Sequence, residues 1–278
     1  MPQRPILCPH CRRLIGSEDA ACHWCGAPRS GAGNFLAAFI ARYFAGDPSL
    51  FWLIAVNVAY FVVSLCFSTK LTFSGNPLTF FSPDQGSLFL LGGSGSVPVF
   101  EYGRFWTLLA ANYLHGGLLH IFFNMLALRQ IGPLVISEFG ASRTFIIYTL
   151  GGVFGYLVSC LAGVGFTIGA SAAVCSLIGA LYYFGKSRGG RYGTAVTREV
   201  TGWLVSLALF GLLVPEINNW AHGGGVVGGI VLAKLVGYRE RSAERRWHRA
   251  AALLLVVVTA GVLAWACLGT YLYPFPRN

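Results

Sequence analysis

Charged side chains are scarce in this sequence. They make up 11% of 278 residues, against roughly a quarter in an average soluble domain. With 55% hydrophobic residues, that shortage excludes a soluble domain with a large core and points to a chain that lives in a bilayer. Acidic residues number only 10. None falls within the core of an apolar run; Glu138 and Glu216 stand at the ends of such runs. The lack of charges at the middle of the runs, and of paired broken helices in two related halves, argues against a transporter or channel. A cleavable signal peptide is also not expected, because the first apolar run begins near Leu50, well past a polar N-terminal stretch.

What is present is a series of apolar runs. A helix crosses a bilayer core with about 20 apolar residues, fewer where it is sheltered. The runs predict seven spans near 50–67, 115–136, 143–163, 171–185, 201–214, 219–237 and 250–273. A long connection, 68–104, separates the first two; loops of that length tend to be functional or disordered. Before the first span, Phe35, Leu36, Phe39, Ile40, Tyr43 and Phe44 recur at helical spacing. This predicts an amphipathic helix lying at the interface, with a linker helix packed on the bundle as the alternative.

The net charge is +10. In a soluble chain that would suggest nucleic acid, but here the basic residues sit mainly between apolar runs, and no nucleic-acid partner is expected. With a cytosolic N-terminus, all of the 20 basic residues except Lys70, Arg104 and Arg277 fall on the inner side. The bias favours an odd number of spans, with the C-terminus outside. The fourth span is short. Starting at Ser171, it would begin about 10 Å below the outer surface, a depth at which a helix start is tolerated only beside a wet cavity or within protein.

Polar residues inside spans are functional candidates. His115, His120 and Asn124 are placed on the second span, with His120 and Asn124 on one face. Ser171 opens the fourth, and His222 lies near the outer end of the sixth. Taken singly, Ser171 reads as a helix cap and Asn124 as a helix bridge. Together they fall in the outer half, although alternating spans were free to scatter them. A serine hydroxyl needs a base to become a nucleophile, and histidine titrates near neutrality. An oxyanion needs fixed donors, which the Asn124 amide, the His120 ring and the Ser171 backbone N–H can supply. Without a buried carboxylate, a Ser171–His222 dyad is the simpler proposal, with Glu216, six residues before His222, as the candidate orienting group. Gly179, Gly225 and Gly229 have the small-residue spacing that lets the fourth and sixth spans approach closely.

At this point the sequence resembles the rhomboid family. HGGLLHIFFNMLAL at 115–128, GASAAVCSLIGA at 169–180 and AHGGGVVGG at 221–229 follow its pattern of H-x-x-x-x-H-x-x-x-N, G-x-S and A-H-x-x-G-x-x-x-G, in order. The resemblance covers about 47–237. It implies an all-α membrane protein with a six-helix core (49–237), followed by a basic loop and seventh helix (238–278). It further implies an intramembrane serine endopeptidase acting on membrane proteins with a transmembrane helix, with no cofactor for catalysis. Ser171 matches the nucleophile and His222 the base. His120 and Asn124 match the oxyanion side chains, His115 a structural histidine, and Gly169 the glycine of G-x-S. A non-catalytic relative that binds membrane clients is the alternative, marked by loss of Ser171 or His222; both are present. Three departures stand out: Ala172 where glycine is usual, Cys175 where an aromatic often packs on the histidine, and Phe105-Trp106-Thr107 in place of a Trp-Arg pair. The expected location is the inner membrane of a bacterium.

The polar N-terminal stretch holds Cys8, Cys11, Cys22 and Cys25 as C-x2-C-x10-C-x2-C. Two such knuckles present four thiolates tetrahedrally, which suits structural zinc and resembles zinc-ribbon modules. His10 and His23 could replace a thiolate, but four suffice. A disulfide is disfavoured in a segment assigned to the reducing cytosol. A zinc ribbon over 1–30 and a linker over 31–48 complete the organisation. A thiol-reactive chelator is expected to release about one zinc per chain from residues 1–30; a purified chain free of zinc would remove the ribbon.

Overall fold

The computed structural model describes residues 5–7, 14–16, 22, 24, 47–73 and 80–272. Residues 1–48 and 49–278 form separate units. In the first, β1 (Pro5–Leu7) pairs antiparallel with β2 (Leu14–Gly16), Pro5 facing Gly16 and Leu7 facing Leu14. Cys22 is buried. Cys8, Cys11 and Cys25, and the linker helix expected before residue 47, lie outside the described residues.

The second unit is helical. Its long helices are α1 (Pro48–Phe67), α4 (Leu118–Phe139), α5 (Ala141–Leu161), α6 (Ser171–Arg188), α7 (Gly190–Leu213), α8 (Asn219–Val236) and α9 (Arg246–Leu272). Between α1 and α4 the chain forms short helices α2 (Gln85–Leu90) and α3 (Thr107–Ala110), and a small antiparallel pair, β3 (Thr72–Phe73) with β4 (Phe80–Ser82).

The seven long helices fall where the apolar runs predicted spans, with two instructive differences. The fifth starts at Gly190, not near 201. Hydropathy marks where a helix meets lipid, whereas α7 runs on through a polar turn in which Thr194, Thr197 and Thr201 donate to the carbonyls four residues earlier. The second starts at Leu118, so His115 precedes the helix that carries His120 and Asn124.

Five of the seven are long and apolar enough to cross a membrane: α1, α4, α5, α7 and α9. The other two, α6 and α8, carry Ser171 and His222. Their composition is lowered by small and polar residues, which a helix can carry when protein rather than lipid surrounds it. In α6 every residue from Ala172 to Leu181 is buried.

The centre of the unit is a seam of α5, α6 and α8 packed backbone to backbone. A Cβ on Gly229 would meet the Ser176 carbonyl, one on Gly225 the Ala172 carbonyl, and one on Gly179 the Val226 carbonyl. On the other side, Gly155 of α5 lies against the Ala221 carbonyl and the Ala172 methyl, and Gly151 against Ser176. The close approach expected of Gly179, Gly225 and Gly229 is present. The α5 glycines Gly151, Gly152 and Gly155 complete it.

The connections gather at two ends. At one, Arg239 N–H donates to the Glu138 carbonyl (2.7 Å), Arg143 to Ser242 and Ala243, and Arg241 to the Ser187 carbonyl. Arg188 pairs with Glu240 at 2.6 Å. Three basic connections thus meet at this end. At the other, the 68–104 connection is ordered where described. Asp84 accepts from the Ser87 and Thr69 N–H groups and from the Ser68 and Ser87 hydroxyls, at 2.8 to 2.9 Å. Partial burial alone would raise its carboxyl, but these donors outweigh it and hold it at about 2. Tyr60 Oη donates to the Leu91 carbonyl (2.7 Å), tying α1 to the end of α2.

Gly229→Ala is expected to destabilise the unit by about 1–3 kcal/mol, read as a lower unfolding midpoint in detergent. Gly261→Ala in α9, where a Cβ would meet nothing, should leave the midpoint unchanged.

Candidate active site

The α6–α8 register sets the site. The contacts Ala172–Gly225 and Ser176–Gly229 advance by the same step on both helices, so these helices run parallel. His222 stands three residues, just under one turn, before Gly225. It therefore lies level with the residues that lead into Ser171. Ser171 is part-exposed, and His222 is 8% exposed. Its Nδ1 is buried without a hydrogen-bond partner, and no hydrogen bond joins it to Ser171 in this structure. Such catalytic hydrogen bonds are often long until substrate binds.

His120 reaches the same place from α4. Gly169 marks the meeting point: the position of a Cβ there lies 2.7 Å from His120 Nε2 and 3.7 Å from Ser171 Oγ. Only glycine leaves that space open, and its φ of +128° suits no other residue. His120 Nδ1 accepts the Gly116 N–H (3.2 Å), which fixes the ring. His115 is fully buried and stands edge-on to His120 at 5.2 Å. Asn124 spends one amide N–H on the His120 carbonyl (2.8 Å); its second remains for another acceptor.

The start of α6 has no side-chain cap. Its first internal bond is Val174 N–H to the Ala170 carbonyl (2.9 Å). The N–H groups of Ser171, Ala172 and Ala173 therefore have no intrahelical acceptor, as at any helix start. Of the residues marked in the sequence, His120, Gly169 and Ser171 come together, with His115 edge-on to His120 and Asn124 bonded to the His120 carbonyl; His222 stands on α8, level with the turn into Ser171. Glu216 does not join them: it is exposed on the turn before α8.

Three contributors escaped the sequence reading. Tyr156 of α5 donates its hydroxyl to the Gly169 carbonyl. Gly169 N–H donates to the Ala111 carbonyl (2.9 Å). Asn218 caps α8 and donates to Ser159 and Thr167. An asparagine just before an apolar run is a readable cap; a lone tyrosine in an apolar span gives no such signal.

Residues 102–239 match the family described as the rhomboid domain. These residues are similar to a rhomboid domain. Among similar proteins are rhomboid protease GluP of Bacillus subtilis, 30% identical over 58% of this chain and 32% of its own, and RHOMBOID-like protein 4 of Arabidopsis thaliana, 32% identical over 65% of this chain and 51% of its own. Rhomboid-like protease 5 of Toxoplasma gondii is 31% identical over 56% of this chain and 19% of its own. The chain thus spans about half or less of the length of these relatives. The domain and the apolar helices make it an integral, multi-pass membrane protein.

Within the matched residues, the departures find physical answers. The Ala172 methyl packs against Gly155 of α5, in a small apolar cluster with Val99, Tyr156 and Ala221. Cys175 is buried where its Cβ nearly touches Gly225. In place of a Trp-Arg pair, the guanidinium comes from Arg104. It lies 4.7 Å over Trp106 and 4.6 Å over Phe89, and donates to the Phe89 and Leu90 carbonyls.

Proposed function

We propose that this protein is an intramembrane serine endopeptidase in which Ser171 is the nucleophile and His222 the base. The observation that carries the reading is the parallel, glycine-lined contact of α6 and α8, which sets His222 level with the turn into Ser171. Ser171 Oγ attacks the scissile carbonyl and its proton passes to the His222 imidazole, which then protonates the leaving amine. The uncapped N–H groups at the start of α6, with His120 and Asn124, stabilise the oxyanion. Water hydrolyses the acyl-enzyme with the same histidine as base. Glu216, the candidate orienting carboxylate, is exposed on the turn before α8, which favours a dyad.

The substrates are membrane proteins with a transmembrane helix. An extended strand must lie beside Ser171 for its carbonyl to be attacked, so segments whose helix unwinds readily are favoured. The basic connections gathered at the end opposite Ser171 support a cytosolic N-terminus and an outward C-terminus, with the site opening outward, as in a bacterial inner membrane. Cys8, Cys11, Cys22 and Cys25 hold a structural zinc; β1 and β2 flank the segment that contains the first two, as a ribbon requires.

A fluorophosphonate is expected to label Ser171. Cleavage of a reporter transmembrane helix should fall by about 10³-fold or more in Ser171→Ala and in His222→Ala. Cleavage that persists in both variants would move the chemistry elsewhere, and wild type that binds the reporter without cutting would favour client binding.

A further inference from the structure

Asn218 is the side chain through which the base helix, the end of α5 and the nucleophile loop meet. Its Oδ1 accepts the Ala221 N–H (3.0 Å), and its carbonyl accepts the His222 N–H (3.1 Å). Its Nδ2 donates to Ser159 Oγ at 2.6 Å and to Thr167 Oγ1 at 3.0 Å. Both hydroxyls are buried. Thr167 is four residues before Ser171, as Asn218 is four before His222. Thr167 is in turn held by the backbone of Ser94, through Thr167 N–H to Ser94 O (2.7 Å) and Ser94 N–H to Thr167 O (3.0 Å).

We propose that Asn218 is a positioning residue for the Ser171–His222 pair, holding the first turn of α8 against the loop that delivers Ser171. The inference rests on the protease reading for its kinetic consequence, but the linkage itself is geometric. The glycine seam fixes α6 against α8 one turn deeper, at Ala172–Gly225. Above that contact α8 could fray and Ser171's loop could swing. Asn218 closes this gap from one side chain, because an amide supplies an acceptor for the helix start and two donors for the loop at once. Aspartate keeps the acceptor and loses both donors. It therefore separates positioning from simple capping.

The test uses the full chain in detergent micelles, with Asn218→Asp beside wild type. Asn218→Asp should keep the unfolding midpoint within a few degrees. It should lower kcat for a reporter helix by about tenfold to a hundredfold, with KM within about twofold, as expected when reacting groups are misaligned by roughly an ångström. Thr167→Val should cost a similar factor, and the double variant little more than either alone. Nitrogen NMR of labelled histidine gives a readout free of activity. The His222 ring signals, identified by their loss in His222→Gln, should shift or double in Asn218→Asp. Wild-type kcat in Asn218→Asp, a loss confined to KM, or unchanged His222 signals would each overturn the proposal. Shifted His222 signals in a chain whose wild type cuts nothing would uphold the linkage and sink the protease reading.

Discussion

Everything in the helical unit depends on two backbones approaching without side chains between them. At Gly225 and Gly229, α8 presents bare Cα atoms to the carbonyls of Ala172 and Ser176, and at Gly179 α6 returns the same contact to Val226. Lipid tails are as apolar as leucine, so little hydrophobic force drives helices together inside a bilayer; packing density and polar contacts must do so. A methyl at any of these positions would push the helices apart. The seam therefore does two things at once: it makes the core, and it sets the relative height of Ser171 and His222.

The same economy explains the composition of α6 and α8. A helix that faces lipid must be apolar around its circumference, as α9 is with Leu253, Leu254, Val257 and Trp265 exposed. The enclosed helix α6 is free to carry Ser171, Ser176 and Gly179, and the buried face of α8 carries His222, Gly224, Gly225, Gly228 and Gly229. Of the two helices that bear the reacting groups, α6 stands within the others, and α8 turns Trp220, Val227, Val231 and Leu235 outward. Polar chemistry in a membrane needs that shelter, since a bare helix start or an unpaired imidazole is costly against hydrocarbon.

Around this frame, hydrogen bonds at the site end fix the parts the seam leaves free. Tyr156 and Ala111 hold Gly169, Gly116 orients the His120 ring, and Asn218 joins the start of α8 to Thr167. The 68–104 connection is anchored by Asp84 and by Arg104 stacked between Phe89 and Trp106. The opposite end is tied just as firmly by Arg143, Arg188 and Arg239, so that positive charge and reacting groups are kept at opposite poles.

Hydropathy in the sequence determined the seven long helices within a few residues at most ends, because transfer of apolar side chains is a local property. It misplaced the start of α7, where the helix continues into polar residues that never meet lipid. Residue chemistry and spacing also marked Ser171, His222, His120 and Asn124, and the resemblance to the rhomboid pattern added Gly169. Only the tertiary structure decided that Ala172 packs against Gly155 of α5, that Glu216 stands apart, and that Asn218 and Tyr156 take part. These depend on which face of each helix turns inward and on which loop folds beside it. Such choices come from packing between distant segments, and no local run of residues records them.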